Sequence, residues 1–136
     1  MHHDHRYVEQ SLALLHKVLA SHACPPQGHA FWSLLDCVAD FFGQELPRHI
    51  LSEETEVFPA YAGRDEGQAL TALRHEHEQL LELATGFTHW LGVVRACPNE
   101  ADWAILRQHG ERIAAVLAAH LKHEDEVLDR LKASAV

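Results

Sequence analysis

The sequence is poor in cysteine and contains no long hydrophobic run. Its three cysteines, Cys24, Cys37 and Cys97, are too few and too scattered for a disulfide framework, and no CxxC motif occurs. No apolar segment approaches the length of a membrane span, and the N-terminal stretch MHHDHRYVEQ is too polar and charged for a signal peptide. We therefore expect a soluble protein without membrane association in a reducing compartment, the cytoplasm.

Basic residues are also scarce. The chain has 11 Lys and Arg against 20 Asp and Glu, which gives a formal net charge of -9 at pH 7. Nucleic-acid binding needs a patch of Lys and Arg to contact phosphates, and no such patch is visible, so nucleic acid is excluded as a partner. The acidic surplus is compatible with binding cations, although by itself it indicates only solubility.

Strand patterns are missing as well, because no segment alternates apolar and polar residues between turn signals. Apolar residues instead recur at three- and four-residue steps over about 4–21, 29–58, 66–95 and 101–132. Pro47 is expected to kink the second helix without ending it, and the following Phe58-Pro59 to close it. The pattern predicts a single domain over residues 1–136, an all-α, up-down-up-down four-helix bundle.

Histidine is the residue present in excess, with 13 copies among 136 residues. Four of them, one per helix, fall on the apolar stripe of their segment: His5, His49, His77 and His120. A single inward histidine is usually a core residue bonded to its surroundings, but one from each of four helices favours a shared site. A rise of about 1.5 Å per residue places the last three in one layer, with the first at the same end of the bundle.

Two carboxylates accompany these histidines. The phrases HILSEE and HLKHED both place a glutamate four residues after a histidine, so Glu53 lies over His49 and Glu124 over His120. Inward carboxylates are costly to bury unless a cation offsets the cost, and carboxylates with imidazoles suit iron or manganese in a bundle core. The pattern predicts a dinuclear metal site with imidazoles as terminal ligands and carboxylates as bridges. The alternative is that both phrases are polar helix ends that face water.

Over nearly its whole length the chain resembles hemerythrin-like domains, the HHE cation-binding family. The stretches that carry the resemblance are DHRYVEQSLALL, ELPRHILSEETEVFP, LRHEHEQL and HLKHEDEVL, of which the second and fourth are the more specific. The resemblance implies a bundle around two iron ions, oxo- or hydroxo-bridged, that meet dioxygen, nitric oxide or peroxide. The ligands that it implies are His5, His49, Glu53, His77, His120 and Glu124.

One position departs from the oxygen-carrying hemerythrins, which have two histidines four residues apart on the third helix. Here the residues four before and four after His77 are leucines, and His75 points roughly 160° away. One iron is then more open or carries another carboxylate, for which Glu54 and Asp125 are candidates. The departure argues against reversible oxygen carriage and is closer to relatives linked to iron sensing, redox sensing or repair of iron–sulfur centres.

Other interpretations stay open. An open iron site would also suit an oxidase or peroxidase-type enzyme, and a zinc-bound or metal-free interaction bundle is the third possibility. His16 and His109, each eleven residues from a proposed ligand, are candidates for a second metal site, and His2 and His3 are alternatives to His5. The sequence identifies neither the metal bound in vivo, which includes other divalent ions as candidates, nor a protein partner.

Overall fold

The computed structural model describes residues 5–21, 28–65 and 68–133, and these are almost entirely helical. The helices are α1 Arg6–Ser21, α2 His29–Asp40, α3 Leu46–Ser52, α4 Phe58–Tyr61, α5 Ala69–Ala96 and α6 Glu100–Ala133. No strand occurs in the described ranges, so the predicted all-α helical bundle is confirmed. Within the same ranges, no helix is both long enough and apolar enough to cross a membrane. The up-down-up-down course of the helices stays a prediction.

The second predicted helix is a continuous helical path that two wider π turns divide into α2, α3 and α4. The π turns are Phe41–Glu45 and Glu53–Val57, and the helix that follows each has a proline at its second position, Pro47 or Pro59. Proline lacks an N–H and its ring crowds the carbonyl four residues earlier, and a wider turn before it relieves this crowding. The predicted continuation through Pro47 is found, whereas the predicted helix end at Pro59 is wrong, since α4 continues to Tyr61.

Side-chain caps fix the starts of the two longest helices. The carboxylate of Asp65 accepts hydrogen bonds of 2.8 and 2.9 Å from the first two backbone N–H groups of α5. The side-chain oxygen of Asn99 accepts one of 2.8 Å from a backbone N–H in the first turn of α6. These caps satisfy donors that have no partner inside a helix, and the helices that they start carry His77 and His120.

Two apolar clusters enclose a layer of polar side chains. The larger lies among α1, α2, α5 and α6, and the smaller consists of Val57, Phe58, Leu70, Leu73, Val127, Leu128 and Leu131. Along α5, Leu73 belongs to the smaller cluster, Leu80 to the larger, and buried His77 lies between them. Burial of each large apolar side chain stabilises the fold by about 1.5–3 kcal/mol. The packing of both clusters therefore holds the polar layer in place.

Candidate metal centre

The polar layer consists of the six side chains on which the sequence analysis converged. They are His5, His49, Glu53, His77, His120 and Glu124, and all are buried except His49, whose side chain is 22% exposed. His5 directly precedes α1, His49 lies on α3, Glu53 begins the second π turn, and α5 and α6 carry the others. The structure therefore brings together one histidine from each of the four predicted helical segments, with a glutamate from two of them.

The donor atoms of the layer form two groups that share one residue. The first group is Glu53, His77, His120 and Glu124, and the second is His5, His49 and Glu53. Within each group the nitrogen and oxygen atoms all lie within 4.8 Å of one another. This spacing would allow each group to hold a metal ion.

Each glutamate of the layer faces imidazoles from more than one helical segment. Oε1 of Glu53 lies 3.2 Å from Nε2 of His49, on its own segment, and 3.3 Å from Nε2 of His77 on α5. Its other oxygen, Oε2, lies 3.8 Å from Nε2 of His5. The predicted position of the glutamate four residues after its histidine is thus found, and the carboxylate also reaches across to two other segments.

Glu124 repeats this arrangement on α6. Its Oε2 lies 3.4 Å from Nε2 of His120, four residues earlier, and 3.3 Å from Nε2 of His5 at the start of α1. The imidazoles also approach one another in pairs, with ring centroids 4.7 Å apart for His77 and His120 and 5.6 Å apart for His5 and His49. The two imidazole pairs coincide with the two donor groups, since His77 and His120 belong to the first and His5 and His49 to the second.

A second set of carboxylates lies behind the imidazoles. Glu54 accepts a hydrogen bond of 2.8 Å from Nδ1 of His77, and Asp125 lies 3.2 Å from Nδ1 of His5. A carboxylate at Nδ1 keeps a proton on that nitrogen, so that in the neutral imidazole it is Nε2, on the opposite side of the ring, that is free to bind a metal. Glu54 and Asp125, which the sequence suggested as extra ligands, therefore stand on the outer side of the rings, where they orient them.

Glu76 is a residue in direct contact with the layer that the sequence did not indicate. Its Oε1 accepts a hydrogen bond of 2.8 Å from Nδ1 of His120, and its Oε2 accepts one of 2.7 Å from Nδ1 of His123. The contact joins α5 to α6, so no spacing within one helix reveals it. A partial signal exists, because His120 and His123 are three residues apart and share a face that one carboxylate on a facing helix can bridge.

His77 is also held from one side by an aromatic ring. Phe58 stacks on it with ring centroids 5.5 Å apart and an angle of 6° between the planes. The guanidinium carbon of Arg74 lies 5.7 Å from the centroid of the same phenyl ring. Together with the hydrogen bond to Glu54, this stacking leaves the imidazole of His77 little freedom to rotate.

Two histidines of the layer have raised pKa values. Burial lowers the pKa of His5, but hydrogen bonding and charge from Glu53 and Asp125 outweigh it and raise the pKa above the usual 6.5. Burial likewise lowers the pKa of His77, and Glu53 and Glu54 more than compensate, so this pKa is also raised. In the absence of a metal ion, protons on these imidazoles therefore supply part of the positive charge that the buried carboxylates require.

His120 behaves in the opposite way. Burial is the largest influence and lowers its pKa below 6.5, and the charge of neighbouring His77 lowers it further. The hydrogen bond to Glu76 raises it, but not enough to compensate. His120 is therefore neutral over a wider pH range than its neighbours, which is the protonation state that a metal ligand needs.

The suggested second metal site is not supported. His16 is exposed on α1, and half-buried His109 stacks on Trp90 with ring centroids 6.2 Å apart. Within residues 5–21, 28–65 and 68–133, neither histidine belongs to a group of donors close enough to hold a metal ion. His2 and His3 lie outside the described residues.

The chemistry of the layer fits a cation. Glu53 and Glu124 are 1% and 0% exposed, and two carboxylates this deeply buried are costly without compensating positive charge. Imidazole nitrogens and carboxylate oxygens together suit iron and manganese, as well as zinc. The residues present therefore form a buried group that is able to hold metal.

Comparison with known proteins gives one match. The family model of the hemerythrin HHE cation-binding domain matches residues 1–131. No curated protein and no solved structure is similar enough to this chain to count as a match. Because the matched region covers nearly the whole chain and includes all six residues of the layer, the chain belongs to the hemerythrin HHE cation-binding domain family.

Proposed function

We propose that this protein is a non-haem di-iron protein of the hemerythrin type. Four imidazoles are the terminal ligands and two carboxylates bridge the ions, and these ligands are His5, His49, His77, His120, Glu53 and Glu124. The observation that carries the proposal is the position of the two glutamates. Both are nearly inaccessible to solvent, and Glu53 faces Nε2 atoms from three helical segments and Glu124 from two. Oxygen and imidazole donors in this combination suit iron in a helix bundle.

Two ions fit the donor arrangement better than one. The two donor groups have only Glu53 in common. Its oxygens face different imidazoles, with Oε1 near His49 and His77 and Oε2 near His5. Glu53 thus contacts one imidazole of the first donor group, His77, and both imidazoles of the second, His5 and His49, which suits it to bridge two ions.

The proposed role is to bind, sense or handle dioxygen, nitric oxide, peroxide or iron. An iron pair, when bound, supplies the electrons and the open coordination positions for such a small ligand. The chain itself limits the access of water to the layer, because one apolar cluster packs above it and the other below it. His49 is the most exposed member of the layer, so the layer reaches solvent on the side of α3.

Leu73 supports sensing or ligand handling over reversible oxygen transport. It occupies one of the two positions four residues from His77 at which a second histidine, as in the oxygen-carrying relatives, would lie. Its side chain is fully buried in the smaller apolar cluster, beside residues such as Phe58 and Leu70. The third helix therefore supplies one imidazole to the layer, and a position is left for an external ligand.

Further expectations from the sequence belong to the same proposal. They are a single domain over residues 1–136, an up-down-up-down course of the helices and a cytoplasmic location. A sensor would also need a protein partner that responds to the state of the iron pair. The sequence does not identify that partner.

Metal content is the test of this proposal. The protein would be expressed in iron-replete medium, and iron per chain would be measured by mass spectrometry beside the absorption spectrum. We expect about two iron ions per chain, with near-ultraviolet absorption bands of a bridged pair. A chain that takes up no iron, even after anaerobic reconstitution with Fe(II), would contradict the proposal and favour a zinc-bound or metal-free bundle.

A matched pair of variants makes the test specific. His77→Ala removes a member of the layer, whereas His75→Ala removes an exposed histidine two residues earlier on the same helix. We expect iron loss in the first variant and none in the second. Steady consumption of peroxide by the wild-type protein, abolished in His77→Ala, would favour a peroxidase-type enzyme over a sensor.

A further inference from the structure

The two donor groups of the layer contain different numbers of donors. Four side chains converge in the first group, Glu53, His77, His120 and Glu124, and all four are buried. Three converge in the second, His5, His49 and Glu53, and one of these, His49, is partly exposed. Glu124 also approaches the second group, with its Oε2 3.3 Å from Nε2 of His5, but it is grouped with the donors of the first. A site with fewer and more exposed protein donors leaves more coordination positions to water or an external ligand.

The supporting helices of the two groups also differ. His77 and His120 lie in the interiors of α5 and α6, which pack against each other and are the two longest helices. His5 precedes the first residue of α1, and its carbonyl accepts the hydrogen bond from the N–H of Glu9 that begins this helix. Helix ends fray more readily than interiors. The first group is therefore built on a more rigid support than the second.

The carboxylates that orient the imidazoles also differ between the first and the second donor group. In the first group, Nδ1 of His77 and Nδ1 of His120 each donate a hydrogen bond of 2.8 Å to a half-buried carboxylate, Glu54 or Glu76. In the second group, Nδ1 of His5 lies 3.2 Å from Asp125, whose side chain is 57% exposed. Groups that orient a metal ligand typically change metal affinity by about 10- to 100-fold, so this difference favours the first group.

From these three differences we infer that the two metal positions are unequal and fill in order. The position at Glu53, His77, His120 and Glu124 takes the first ion and holds it more tightly. The position at His5, His49 and Glu53 takes the second ion and exchanges it more readily. This inference rests on the proposed function, and it adds that the protein passes through a form with a single ion when metal is limiting.

Titration of the metal-free, full-length protein with Mn(II) tests this order. Isolated Mn(II) gives a six-line electron paramagnetic resonance signal, and a coupled pair gives a different, broader one. At one equivalent we expect the isolated-ion signal from bound Mn(II), which converts to the pair signal as the second equivalent binds. The second dissociation constant should exceed the first by about tenfold or more.

Two variants assign the steps to the two positions. His5→Ala should keep the first step with little change and lose the second, because His5 lies at the start of α1 and belongs to the second donor group alone. His77→Ala should lose the tight first step. Circular dichroism would establish that both variants fold. If one of them does not fold, the wild-type titration still shows whether the two ions bind in separate steps, and the other variant assigns those steps.

The outcomes separate this inference from the proposed function. Pair signal from the first addition, or equal loss of both steps in His5→Ala, would overturn the filling order while leaving a dinuclear centre in place. Absence of any bound Mn(II) or Fe(II) would contradict the dinuclear centre itself and the order with it.

Discussion

Glu76 on α5 accepts a hydrogen bond of 2.8 Å from Nδ1 of His120 on α6, directly behind the polar layer. The same carboxylate accepts one of 2.7 Å from Nδ1 of His123, so both of its oxygens are engaged. This bond fixes which nitrogen of His120 faces Glu124, and it does so across the interface between the two longest helices. The relationship connects the packing of the bundle to the orientation of a proposed metal ligand.

Glu76→Gln is expected to weaken metal binding by about 10- to 100-fold, because a neutral amide accepts a weaker hydrogen bond and cannot serve both imidazoles as an acceptor. Metal affinity would be measured by competition with a chelator. Glu78→Gln is the matched control. Glu78 is an exposed carboxylate two residues later on the same helix, and among the described residues it pairs with the exposed His75. Equal affinities in the two variants would show that Glu76 does not orient a ligand.

The local part of the site could be predicted from the sequence. Helical periodicity identifies which face of each helix is buried, and a spacing of four residues places Glu53 beside His49 and Glu124 beside His120. The structure has both contacts, at 3.2 and 3.4 Å. These features depend on positions within one helix, which is why a single sequence suffices to predict them. The role of these residues as metal ligands stays a prediction.

Contacts between helices could not be predicted in the same way. The sequence places Glu54 and Asp125 near the layer, but it does not tell which nitrogen of a histidine on another helix they face. Glu76 escaped notice for the same reason. The helix end expected at Pro59 was wrong because a π turn before a proline accommodates it without ending the helix. Whether a helix ends at such a proline or continues through it depends on packing around the turn.

Removal of the metal is expected to lower the thermal stability of the protein. A ligand that binds only the folded state at about 100 times its dissociation constant stabilises it by about 2.7 kcal/mol, which for a chain of this length corresponds to a shift of roughly 10 °C in Tm. Thermal unfolding would be followed by circular dichroism with and without Fe(II), under anaerobic conditions. His77→Ala should show a smaller shift, because it loses the tighter metal position, and a shift equal to that of the wild type would place the stabilising metal elsewhere.

Metal binding is expected to weaken as the pH falls. The pKa values of His5 and His77 are raised above 6.5 in the metal-free fold, so both keep a proton to higher pH than an ordinary histidine and must release it to ligate a metal. The pKa of His120 is lowered, so this residue contributes little to proton release. Calorimetric titration with Mn(II) in buffers of different ionisation enthalpy would measure the protons released. Metal affinity that is unchanged between about pH 6 and about pH 8 would contradict this prediction.

For His5 and His77, the contribution to the stability of the metal-free fold decreases as the pH rises, whereas metal binding strengthens. Raised pKa values mean that His5 and His77 contribute stability that is fully present below pH 6.5 and is lost as the pH rises through their folded-state values. For His120 the sign is reversed, because its lowered pKa contributes stability above pH 6.5 that is lost as the pH falls. Chemical denaturation across this range in wild type and in His5→Ala should show a smaller decline with rising pH in the variant. An identical profile in both would contradict the assignment to His5.

Leu73→Ala is expected to destabilise the fold by about 2–5 kcal/mol, because it opens a cavity in the smaller apolar cluster directly beside the polar layer. Leu51→Ala is the matched control, since the Leu51 side chain is 63% exposed and its loss should change stability by no more than about 0.5 kcal/mol. Denaturant unfolding of the metal-free proteins would measure both. Leu73 also supports the turn of α5 on which His77 stands, so this variant should bind Mn(II) more weakly as well. If metal affinity is retained while stability falls, the smaller cluster stabilises the bundle without positioning the imidazole.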